Sequence, residues 1–113
     1  MSLSENLPVY RASYDFLMDV FRFTTTLPKE YKYTVGEEVK KETLAMLLDI
    51  YRANRSFDGR KDRIVFSLEH LETVRILLRI LRDLGHIDLK KFVALSEQLE
   101  NVSRQLTGWR KKS

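Results

Sequence analysis

Apolar residues recur at helical spacing in four long segments of this chain, and in three of them they spread wider than one groove requires. Residues 9–26, VYRASYDFLMDVFRFTTT, set Tyr10, Tyr14, Leu17 and Phe21 on one side with Phe16, Val20 and Phe23 adjoining, leaving a narrow strip of Arg11, Asp15, Asp19 and Arg22. The β-branched run Thr24-Thr25-Thr26 before Pro28 marks the end of this helix. In residues 35–57, Val39, Thr43, Met46, Leu47, Ile50 and Phe57 stand at core spacing, with Leu44, Leu48 and Tyr51 forming a second apolar face. Thr34 and Glu37 have the separation of a capping box at its start. Residues 62–84 form the central rod. At about 100° per residue its Leu71, Val74, Leu77, Leu78, Ile80, Leu81 and Leu84 sweep roughly 180°, while Arg75, Arg79 and Arg82 fall within about 60° of one another. Asp58-Gly59 is a turn before this helix, and Gly85 supplies its C-terminal cap. Residues 89–107, capped by Asp88, keep Leu89, Phe92, Val93, Leu95, Leu99, Val102 and Leu106 to one face; Gly108 then ends the helix before a basic tail, Trp109 to Lys112.

Four helices with short connections predict an all-α fold, an antiparallel up-down-up-down four-helix bundle forming one domain over residues 1–113. A surface helix needs an apolar stripe of about 100° or somewhat more. The first three helices exceed that and the fourth does not, which points to a homo-oligomer with subunit contacts on helices one to three. The competing reading is a compact monomer whose tilted helices bury the excess.

Composition agrees with long helices: 4 Gly and 2 Pro in 113 residues leave little turn material for a many-stranded sheet. Without cysteine there is no disulfide, thiolate metal site or cysteine nucleophile, and the cytoplasm is the favoured compartment. No apolar run approaches the roughly 20 residues of a membrane span, and MSLSENLPVY lacks the basic-then-apolar order of a signal peptide. The net charge of +4 leans toward an anionic partner, although 16 acidic residues are interspersed among 20 basic ones.

Catalytic signals are absent. A bundle di-metal site needs Glu-x-x-His on two helices, and neither His70 nor His86 has glutamate three residues before it. His70 reads as a packed or interface histidine and His86 as part of a helix end. Ser67 and Ser96 have no evident base and orienter, and no phosphate loop is present. The expectation is a protein that is not an enzyme and takes no metal or other cofactor. What remains is basic surface: the strip Arg75, Arg79 and Arg82, the pair Arg52 and Arg55, and Arg60-Lys61, Arg63 and Lys90-Lys91. These residues either neutralise backbone phosphates or form local pairs with neighbours such as Glu72 and Asp83.

The order of Leu27-Pro28-Lys29, Tyr33-Thr34-Val35-Gly36, Leu78-Arg79, Asp83-Leu84 and Gly108-Trp109 resembles the bacterial four-helix-bundle family that includes the 23S ribosomal RNA intervening-sequence proteins. It is most similar to the accessory variability determinants of diversity-generating retroelements, over about residues 27–110. The intervening-sequence branch carries a small-residue run in its second helix, where this chain reads Leu47-Leu48-Asp49-Ile50-Tyr51-Arg52-Ala53-Asn54. The resemblance implies a cytoplasmic homopentameric barrel that binds RNA or DNA and the retroelement's reverse transcriptase. It carries to Arg52, Arg55, Arg75, Arg79 and Arg82 a nucleic-acid-binding tendency only. The alternative is a protein-interaction scaffold of the intervening-sequence type with no nucleic-acid role.

Overall fold

Periodicity becomes helix almost throughout the computed structural model, which describes residues 6–113; the first five residues of the opening stretch lie outside it. The elements are α1 (Pro8–Thr24), a single turn α2 (Lys29–Lys32), α3 (Val35–Arg55), α4 (Arg60–Asp83) and α5 (Leu89–Lys112). Among the described residues there is no strand. The four long helices pack as a ring, α1 and α4 each lying against both α3 and α5, in a body of 42 × 23 × 21 Å. Phe16, Val20, Met46, Ile50, Ile64, Leu71, Leu78, Leu95, Leu99 and Leu106 fill its centre with almost no exposure.

The connections show local chemistry at work. At the end of α1 the hydroxyls of Thr24, Thr25 and Thr26 donate to the carbonyls of Phe21, Arg22 and Phe23 at 3.0, 2.8 and 2.7 Å, occupying acceptors that a helix C-terminus otherwise leaves open. The capping box expected at Thr34 does not form. The turn α2, which the periodicity did not predict, brings the Glu30 carbonyl within reach. The Thr34 hydroxyl donates to it at 2.6 Å, and Glu37 instead pairs with Lys40 at 2.7 Å. Gly36 lies in the same corner, where an added Cβ would stand 3.1 Å from the Tyr31 carbonyl oxygen and 3.2 Å from Leu27.

Helices α3 and α4 are joined by polar contacts as well as apolar ones. The buried Ser67 hydroxyl donates to the Met46 carbonyl at 3.0 Å. His70 Nδ1 lies 2.7 Å from Glu42 and Nε2 lies 3.5 Å from Asp49, so carboxylates occupy both ring nitrogens. Gly85 closes α4 with φ +79: its N–H donates to the Arg82 carbonyl, and that of His86 to the Leu81 carbonyl, both at 2.9 Å. The His86 ring packs on Tyr31 with centroids 4.2 Å apart. Asp88 caps α5 by accepting from the Lys91 N–H at 2.7 Å.

Three further expectations are corrected. Phe57 is not a core residue: α3 stops at Arg55, and Phe57 stands in the turn with 76% of its surface exposed. Gly108 does not end the last helix, because Trp109 continues the stripe of Leu99, Val102 and Leu106 onto the core and carries α5 on to Lys112. Nor is α5 apolar on one covered face only, since Leu89 and Val93 are exposed near its start.

The protomer covers only part of each wide arc. In α4, Leu71, Val74, Leu78 and Leu81 are buried, while Phe66, Ile76, Ile80 and Leu84 are exposed. Tyr14 and Phe21 of α1 and Leu44 and Leu48 of α3 are likewise left open.

Candidate nucleic-acid interface

The five candidate arginines fall into two groups at different ends of the bundle. Arg52 and Arg55 lie in the last turn of α3, beside the start of α4. Arg75, Arg79 and Arg82 occupy the other half of α4. Between Arg60 and Arg82 the helix rises about 33 Å.

The second group is largely neutralised where it stands. Arg75 contacts Glu72 at 3.2 Å and also pairs with Glu100 of α5. Arg82 pairs with Asp83 at 3.2 Å and lays its guanidinium over Phe92, 4.9 Å from the ring centroid. Arg79 is exposed and has no ion pair or hydrogen bond among the described residues.

The first group belongs to a larger assembly. Tyr51, Arg52, Arg55, Ser56, Asp58 and Arg63 line an open cleft of ≈430 Å³. A neighbouring cleft of ≈370 Å³, sharing Asp58, is lined by Phe57, Gly59, Arg60, Lys61, Asp62 and Ser113. Because α5 is helical to Lys112 and Ser113 reaches the second cleft, Arg110, Lys111 and Lys112 join this end of the molecule. Eight cationic side chains thus stand at this end with three acidic side chains, Asp49, Asp58 and Asp62.

The partners of these cations decide how much charge is left for a ligand. Asp49 is almost fully buried and is shared by Arg63 at 3.4 Å, Arg52 at 3.9 Å and His70. Arg55 donates to the Tyr51 hydroxyl at 2.6 Å and has no carboxylate partner among the described residues. Arg60 donates from Nε to the Ala53 carbonyl at 2.8 Å. Its guanidinium lies over two rings, 5.4 Å from the centroid of Phe57 and 5.8 Å from that of Trp109. Lys61 has no carboxylate partner among the described residues. Chemically, this end offers several uncompensated cations around two open clefts, with an aromatic ring at the rim.

Sequence reasoning placed Arg52 and Arg55 here but missed Phe57 and detached the cations of the last turn. The signal for the latter was present: Leu95, Leu99, Val102, Leu106 and Trp109 keep helical spacing straight through Gly108. No metal-holding trio of His, Asp and Glu occurs among the described residues. No described helix is long and apolar enough to cross a membrane.

No curated protein matches the chain. A family model described as bAvd-like matches residues 9–113, nearly its whole length, and includes both the basic end and the exposed apolar faces. The chain therefore belongs to the bAvd-like family, that of bacterial accessory variability determinant-like proteins.

Proposed function

We propose that this protein is a non-enzymatic accessory subunit of a diversity-generating retroelement, which binds the backbone of RNA or DNA and the element's reverse transcriptase in the cytoplasm. The observation that carries the reading is the concentration of uncompensated cations at the end formed by Arg52, Arg55, Arg60, Lys61 and the last turn of α5. Phosphates are the natural counter-charge for such a surface, and binding through them releases condensed counterions. Arg79, unpaired on α4, extends the same capacity.

Assembly is the second part of the proposal. Each protomer is an up-down-up-down bundle, and five of them close into a barrel. A ring requires two different faces that fit one another. Tyr14, Phe21, Leu44 and Leu48 offer one on α1 and α3, where Lys40 of α3 reaches over the Phe21 ring; Ile76, Ile80 and Leu84 offer another on α4, turned away from α5.

Filter binding of labelled RNA and DNA across a salt series tests the reading: affinity falls steeply with salt, and failure to retain either at low salt refutes it. The same exposed apolar faces favour a second reading, a protein-interaction scaffold without a nucleic-acid role. Under that reading, reversing the charges of Arg52 and Arg55 leaves partner capture intact and there is no nucleic-acid retention to lose.

A further inference from the structure

Phe57 is the anomaly of the basic end. It is the most exposed large apolar side chain of the described residues, yet it stands among cations, where the cost of hydrating an aromatic ring is not offset by any core contact. Arg60 lies over the ring at 5.4 Å, and because the Arg60 guanidinium is itself backed by Trp109 and tethered to the Ala53 carbonyl, the ring rests on a held support. Lys61, in the same cleft, has no carboxylate partner.

We infer that Phe57 is a stacking platform for an unpaired base, with Lys61 and Arg55 taking the adjoining phosphates, so that this end prefers single-stranded nucleic acid to duplex. The inference rests on the nucleic-acid reading above and narrows it. A duplex presents only edges and backbone and hides its base faces; a single strand can lay a base on the open side of the ring while its phosphates meet the cations. Stacking reads neither the sugar nor the sequence, so single-stranded RNA and single-stranded DNA bind alike.

Fluorescence anisotropy with labelled oligothymidylate, oligouridylate and a duplex of matched length measures this directly. The native protein binds both single strands more tightly than the duplex. Phe57→Ala, which removes no core contact, weakens both single strands roughly tenfold, within the span of about 5- to 150-fold expected for one stacked base. It leaves the duplex and the salt slope unchanged because no charge is lost. Phe57→Trp restores or tightens binding. If Phe57→Ala leaves single-strand affinity within about twofold while Lys61→Gln weakens it, the end is a phosphate surface only and the stacking inference fails while the broader function stands. If the native protein retains none of the three probes at low salt, both fall. If Phe57→Ala lowers the particle mass seen by light scattering, the ring is a subunit contact and the inference fails.

Discussion

Exchanging Arg55 and Lys61 together for glutamine, against a control exchange of Arg75 and Arg82, separates a working cation from a merely basic one. Each phosphate neutralised on a single strand contributes about −0.7 to the slope of log affinity against log salt. At about 0.1 M salt that makes each contact worth roughly fivefold, so losing two weakens binding about 25-fold and makes the slope shallower by about 1.4. The control removes the same formal charge. Arg75 and Arg82, however, already pair with Glu72, Glu100 and Asp83, and they stand roughly 22 and 33 Å along α4 from Arg60. Both distances exceed the Debye length of about 10 Å at that salt, so the control changes affinity by less than about threefold. Its cost in stability is small as well, since exposed ion pairs contribute about 0–1 kcal/mol. The assay is anisotropy of a labelled single strand over a salt series. Equal effects of the two double variants, or an unchanged slope for Arg55→Gln with Lys61→Gln, would refute the assignment of binding to this end.

Gly108→Ala should stabilise the protein by about 0.5–1 kcal/mol in urea unfolding: the position is interior to α5 and an added Cβ meets nothing within 4 Å, so only the flexibility of glycine is lost. A destabilised variant would contradict the continuous last helix. Gly36→Ala should act oppositely, by about 1–3 kcal/mol, because its Cβ presses on the Tyr31 carbonyl and Leu27; unchanged thermal unfolding would show that this corner yields easily. If the proposed barrel forms, Ile76→Glu with Ile80→Glu should reduce the particle to monomer by light scattering while circular dichroism stays helical, since both side chains are already exposed in the protomer. An unchanged mass would remove α4 from the subunit contact.

The helices were legible because their apolar spacing is strong and because Asp88 and Gly85 act through their own backbone neighbourhoods, which a sequence displays directly. Thr34 was misread because its outcome depends on a neighbouring element: once α2 forms, the Glu30 carbonyl takes the hydroxyl and no side-chain cap is made to α3. Gly108 shows the reverse error, in which a glycine taken as punctuation sits inside a helix whose last turn Trp109 holds to the core. The candidate site was half legible. Arg52, Arg55 and the adjoining Arg60-Lys61 turn could be marked as basic, and Glu72 and Asp83 were at hand as local partners of Arg75 and Arg82, but only the packing of α3, α4 and α5 brings the last turn of α5 to that end and Glu100 to Arg75.

The contact of Arg60 with both Phe57 and Trp109 has an optical consequence. Trp109 is the only tryptophan in the chain, half-buried and directly behind the guanidinium that supports the exposed ring. Its emission, excited apart from the tyrosines, therefore reports on this corner and on the core edge against which it packs, so an event that shifts Arg60, whether fraying of the final turn or arrival of a ligand, changes an intrinsic signal.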